Sequence, residues 1–82
     1  MYEILWTHTA LKQIKNIVPP IAKRIAKAVN QLKDDPFRKV RKMRGYPYYR
    51  IKIGDYRIIL KITENRIYIM DVGHRKNIYK KF

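Results

Sequence analysis

Three features of this 82-residue chain point to an α+β domain. The opening segment is short, aromatic and β-branched. Residues 9 to 33 hold two apolar patterns of helical spacing, and residues 48 to 72 alternate apolar with polar. The expected architecture is an N-terminal strand and a two-helix hairpin packed on one face of a four- or five-stranded, mainly antiparallel sheet. The length fits one core, so residues 1–82 are read as a single domain.

"YEILWT" (2–7) is the first strand. Thr7 or Thr9 caps a helix over 9–17 that aligns Ala10, Leu11, Ile14 and Ile17. Pro19-Pro20 stops this helix, and Pro20 is tolerated in the first turn of a second one from about 20 to 33. Ile21, Ile25, Val29 and Leu32 form its apolar stripe, with Ala22, Ala26 and Ala28 alongside. Lys12, Lys15, Lys23, Arg24 and Lys27 are the solvated side of the pair, and "KDDP" (33–36) ends it. "RKVRKMRG" (38–45) is a loop leading to a short edge strand near 40–44, where charge discourages further pairing. After Pro47 come three strand runs, 48–53, 56–62 and 66–72, divided at Gly54-Asp55 and Glu64-Asn65. Residues 75–82 form a short helical or irregular tail.

"YRIKIGDYRI" (49–58) fixes a register. Gly-Asp as a two-residue loop suits a type II′ turn with Gly first. Ile53 then pairs with Tyr56, Lys52 with Arg57, Ile51 with Ile58, Arg50 with Ile59 and Tyr49 with Leu60. Because side chains alternate with period two, one face holds Tyr49, Ile51, Ile53, Tyr56, Ile58 and Leu60. The other holds Tyr48, Arg50, Lys52, Arg57, Ile59 and Lys61. Continued through Glu64-Asn65, the pattern pairs Leu60 with Ile69, Ile59 with Met70 and Arg57 with Val72. That puts Tyr68, Met70, Val72 and His74 on the basic face, which stays open while the helices cover the apolar one. Lys52 opposite Arg57 is a like-charge pair, unfavourable by roughly 0.2–1 kcal/mol. An anion such as a phosphate held between them would remove that cost.

Twenty Lys and Arg against six Asp and Glu leave a net charge of +14, which calls for a polyanionic partner: nucleic acid first, an acidic protein second. No apolar run approaches the ~20 residues needed to cross a bilayer, and "MYEILWTH" lacks the features of a signal peptide. No membrane association is expected. The absence of Cys excludes disulfides and thiolate metal sites and fits a cytosolic setting. Two His and six scattered acids offer neither a paired-His nuclease site nor the clustered carboxylates of a two-metal site, and no Gly loop cradles a phosphate. No metal or cofactor is therefore expected. What remains is cation chemistry with a nearby Tyr79. RNA brings its own nucleophile, the 2′-OH, so such a site can cleave RNA where something else holds the strand in line. Crowded cations lower the pKa of Lys, which makes Lys52 a candidate for proton transfer.

The order of elements, with "L…DP", "KMRGYPYYRIKIGDYRIILKI" and "VGHR…Y", resembles the RelE/ParE superfamily of bacterial and archaeal toxins over nearly the whole chain. The resemblance implies a RelE-like α+β fold in a cytoplasmic toxin that cleaves mRNA in the ribosomal A site, against ribosomal RNA, and is inhibited by an acidic antitoxin. Its implied catalytic set is Arg50, Lys52, Arg57, Arg75 and Tyr79. Lys52, Arg57 and Arg75 would bind the scissile phosphate, Tyr79 or the group at 50 would help take the 2′-OH proton, and Arg75 would aid the leaving oxygen. Arg41, Lys42, Arg44, Lys61 and His74 would contact RNA around them. Position 50 is Arg where RelE-type sites often carry Lys. Two alternatives stand beside this reading. One is a ParE-like toxin acting on DNA gyrase without the basic catalytic set. The other is a non-enzymatic RNA-binding module with Tyr48 and Tyr68 as stacking platforms.

Overall fold

Thr7 ends the first strand and starts the first helix with one hydroxyl. Its Oγ1 accepts from the Ala10 N–H at 3.2 Å, capping the helix. The same hydroxyl donates to the Ile69 carbonyl at 2.7 Å, and the Thr7 N–H reaches that carbonyl at 3.1 Å. The computed structural model describes the backbone of residues 1–82 and every side chain except that of Lys81. Its elements are β1 (Glu3–Trp6), α1 (His8–Lys15), α2 (Pro19–Asn30), β2 (Arg41–Lys42), β3 (Tyr49–Ile53), β4 (Tyr56–Ile62) and β5 (Arg66–His74). Short 3-10 turns cover Gln31–Lys33, Pro36–Arg38 and Ile78–Lys81. The expected α+β order is present. The first helix is shorter than expected because Asn16 caps it, its N–H bonding the Gln13 and Ile14 carbonyls ahead of Pro19. The second helix tightens into a 3-10 turn after Asn30, which still buries Leu32. The edge strand spans two residues rather than five, since the chain turns at Met43, where the Tyr46 N–H bonds the Met43 carbonyl.

The five strands lie in the order β1-β5-β4-β3-β2, with β1 parallel to β5 and every other pair antiparallel. The β3–β4 register is the expected one at all five pairs, Tyr49–Leu60 to Ile53–Tyr56. Gly54 has φ +56 and Asp55 does not have positive φ, as a type II′ turn requires. The helices cover one face. Ala10, Ile25, Val29 and Leu32 pack there on Ile51, Ile58, Leu60, Ile67, Ile69 and Val72. Among the described residues no helix is long and apolar enough to cross a membrane.

Two expectations change at β5. Leu60 pairs with Ile69, but Ile59 pairs with Asp71 and Arg57 with Gly73, so Met70 is an extra residue in a β-bulge. The unbroken alternation had assigned Met70 to Ile59 and Val72 to Arg57. The bulge flips the parity beyond it: Val72 joins the helix-covered core, and His74 pairs with Tyr56 on that side instead of entering the basic face. The cause lies on α1. Gln13 Oε1 accepts from the Val72 N–H at 2.7 Å, and its Nε2 donates to Asp71 Oδ1 at 3.1 Å. One side-chain amide thus serves a backbone group that the interrupted ladder leaves over. The second change concerns the open face, which is partly covered: Met43, Ile59 and Ile78 are buried there, flanked by Tyr48, Met70, Tyr79 and Phe82. Replacing Gln13 by Leu leaves the Val72 N–H without that acceptor, and guanidinium unfolding is expected to show a loss of about 1–3 kcal/mol. An unchanged midpoint would mean that the bulge is held by other contacts.

Candidate nucleic-acid interface

Strand pairing delivers the cations. Arg41 of β2 pairs with Arg50 of β3, and Lys52 of β3 pairs with Arg57 of β4, so two like-charge pairs lie side by side on the face away from the helices. Lys39 from the preceding loop and Tyr79 from the C-terminal turn complete a hollow of about 370 Å³, lined by Lys39, Arg41, Arg50, Lys52, Arg57 and Tyr79. A second hollow of about 380 Å³ adjoins it, lined by Lys42, Met43, Arg44, Tyr46, Arg50 and Tyr79. Arg50 and Tyr79 are the shared wall, and among the described residues no carboxylate lines either hollow. Three of the chain's acids are engaged elsewhere: Glu3 with Arg66, Asp55 with Arg75 and Asp71 with Gln13.

Tyr79 is held from two sides. Arg50 Nη1 donates to its hydroxyl at 3.4 Å, and the guanidinium carbon lies 5.8 Å from its ring centroid. The neighbouring Ile78 is buried, and the Phe82 N–H bonds the Tyr79 carbonyl at 3.1 Å. Phe82 is itself tied down, its carbonyl accepting from the Tyr46 hydroxyl at 2.8 Å and its ring meeting Tyr46 edge-on at 5.3 Å. Arg57 is fixed by its own turn, with Nη1 donating to the Gly54 and Tyr56 carbonyls at 2.9 and 3.0 Å.

Arg50, Lys52, Arg57, Tyr79 and Arg41 come together as the sequence suggests. Lys42 and Arg44 line the second hollow, although Lys42 Nζ bonds the Tyr46 carbonyl at 2.8 Å and lies over the Tyr49 ring. Lys61 is exposed, paired with Tyr68 and outside both hollows. His74 meets Tyr56 edge-on at 5.6 Å, and its Nδ1 accepts from the Lys76 N–H at 3.2 Å. Arg75 sits at the hairpin turn and lines neither hollow. Its N–H donates to the Asp55 carbonyl at 2.7 Å, and its Nε lies 3.5 Å from Asp55 Oδ1. Lys39 and Tyr46 went unnoticed as lining residues; the basic run 38–44 was the available signal for the first. At the other end of β5, Arg66 holds its proton more tightly than usual, chiefly through its hydrogen bond with Tyr68 and the charge there, and also through Glu3.

A helix-covered mixed sheet with a basic groove and a tyrosine on its far face matches a class of small α+β toxins. Residues 4–79 fit the family model described as the ParE toxin of the type II toxin-antitoxin system, parDE. The sequence is 34% identical to toxin RelE3 of Methanocaldococcus jannaschii, over 98% of each chain. A chain of the RelB–RelE antitoxin–toxin complex of Methanococcus jannaschii is similar, at TM-score 0.79 and 32% identity, with 95% of this chain and 98% of that one covered. A chain of the RelBE2 toxin–antitoxin complex of Mycobacterium tuberculosis shares the fold, at TM-score 0.84 and 23% identity over 90% of this chain and 98% of that one. The chain belongs to the RelE/ParE superfamily of type II toxin–antitoxin toxins, on its RelE-like branch.

Lys52→Glu replaces a like-charge pair with an attractive one. It is expected to leave thermal stability unchanged or raise it by roughly 0.2–1 kcal/mol, while abolishing toxicity in a growth assay. A variant that melts markedly lower would show that the cation is kept for packing, and one that stays toxic would show that activity does not need it. In the wild type, added salt is expected to raise the melting temperature by screening the same repulsion.

Proposed function

We propose that this toxin is a ribosome-dependent mRNA endoribonuclease. The observation that carries the reading is the hollow that Arg41, Arg50, Lys52 and Arg57 line together with Tyr79, whose hydroxyl Arg50 contacts. In the reaction, the 2′-oxygen attacks the adjacent phosphorus and the P–O5′ bond breaks, leaving a 2′,3′-cyclic phosphate and a 5′-hydroxyl. The cations stabilise the negative charge that builds on the non-bridging oxygens. Tyr79 relays the 2′-OH proton, its hydroxyl passing its own proton to water as it takes the new one, and the Lys52 ammonium gives a proton to the departing 5′-oxygen. Arg75 serves the leaving oxygen by exchanging Asp55 for phosphate. Both side chains of that pair are more than half exposed, and such pairs are worth about 0–1 kcal/mol, so the exchange is easy. The ribosome contributes what the groove lacks, a strand held in line for attack. Arg44, Lys42 and Lys61 meet the RNA backbone around the cut, including ribosomal RNA, while His74 lies on the other face.

The partner that restrains the toxin is an acidic antitoxin. A chain with a net charge of +14 attracts one electrostatically, and the similar M. jannaschii toxin was solved with its antitoxin RelB. Toxin and antitoxin act in the cytoplasm, where the ribosomes are. A second reading is favoured by the family model's name: a ParE-like toxin directed at gyrase.

Primer extension on mRNA from an in vitro translation reaction separates the two. Codon-positioned breaks are expected with the wild type, reduced roughly 10²-fold or more in Arg57→Ala or Arg50→Ala. Intact mRNA with trapped gyrase–DNA complexes would support the second reading. Intact mRNA with ribosome binding alone would reduce the groove to a passive RNA clamp.

A further inference from the structure

The bulge and the groove are connected through a residue with no side chain. In an unbroken β4–β5 register Val72 would stand opposite Arg57; the bulge brings Gly73 there instead. Gly73 needs no positive φ, so its backbone does not demand glycine. The space above it is tight. A Cβ built on Gly73 would meet Ile78 Cδ1 at 3.0 Å, Cβ at 3.5 Å and Cγ1 at 3.7 Å. Ile78 therefore lies directly on the backbone of β5, in the place a side chain would fill. It is 4% exposed and packs with Ile59 and Met43. The next residue is Tyr79, whose hydroxyl Arg50 contacts at 3.4 Å.

We propose that Gly73 is a positioning residue, delivered opposite Arg57 by the Gln13-clamped bulge, which seats Ile78 on the sheet and so sets the distance from Tyr79 to Arg50. The proposal rests on the nuclease reading for its effect on rate; the geometry it describes is independent of that reading. The seat leaves little room. At 3.0 Å the added methyl is closer than ordinary van der Waals contact, so Ile78 must lift by a few tenths of an ångström. The Arg50–Tyr79 contact is already long for a hydrogen bond, and a small lift breaks it.

Gly73→Ala, Ile78→Val and the double variant test the seat, because valine lacks the Cδ1 atom that the new methyl meets. Two readouts apply: single-turnover mRNA cleavage at saturating ribosome, and the ring NMR signals of Tyr79, assigned with Tyr79→Phe. Gly73→Ala is expected to slow cleavage roughly tenfold to a hundredfold, with ribosome affinity unchanged, and to shift the Tyr79 signals. The double variant is expected to regain the rate of Ile78→Val within about threefold and to return the Tyr79 signals to their wild-type positions. If Gly73→Ala alone does not fold, a folded double variant with native Tyr79 signals supports the same contact. Unchanged Tyr79 signals in Gly73→Ala overturn the proposal, as does a double variant that is unfolded or leaves Tyr79 displaced. A wild type that cleaves no mRNA overturns the nuclease reading, while the Tyr79 signals still decide the seat.

Discussion

The cationic hairpin follows from the turn at Gly54-Asp55. Two residues leave no slack, so the strands on either side are locked into one pairing from Ile53–Tyr56 to Tyr49–Leu60. Period two then sorts the side chains without further choice. Burying Ile51 and Ile58 is worth about 1.5–3 kcal/mol each. The like-charge pairs that the same register imposes cost roughly 0.2–1 kcal/mol each. The core wins, and the cations are carried into opposition as its consequence. A one-residue slip would relieve neither: it would send the isoleucines to the open face and the charges against the helices.

The sequence made this hairpin legible because turn and alternation are both local. The β4–β5 pairing was legible only as far as Leu60. Beyond it the register depends on Gln13, whose amide meets Asp71 and Val72 from a helix 58 and 59 residues away. A trace of it was present in the sequence. Unbroken alternation from Ile67 and Ile69 puts an aspartate next on the apolar face and sends Val72 to the basic one. Both are polarity violations; the extra residue returns Val72 to the core, and the Gln13 amide meets the aspartate. The turn at Ile78–Lys81 was expected as a short helical or irregular tail, but where it docks was not, since nothing near residue 78 announces a vacancy over Gly73.

The groove was legible to the same degree and for the same reason. Arg50, Lys52 and Arg57 were placed by the hairpin, and Arg41 by an edge strand recognised from its charge. His74 follows the bulge and inherits its change of parity, and Arg75 lies in the turn after β5, so neither lines the groove. Arg75 instead meets the acid at the turn, and His74 meets Tyr56. Lys39 escaped because a loop residue has no periodicity to place it.

A groove without carboxylates has no counter-charge of its own, and this ties its binding to its stability. In most surfaces a cation's neighbour is an acid a few ångströms away, and a ligand must displace it. Here Arg41, Arg50, Lys52 and Arg57 face one another, so a polyanion displaces small counterions and relieves a repulsion already present. Any ligand that binds the folded chain and not the unfolded one stabilises it by RT ln(1 + [L]/Kd). For this chain the relief of two strained pairs is part of what sets that Kd. A polyanion seated in this groove therefore firms the strands that carry it, with no switch in conformation required.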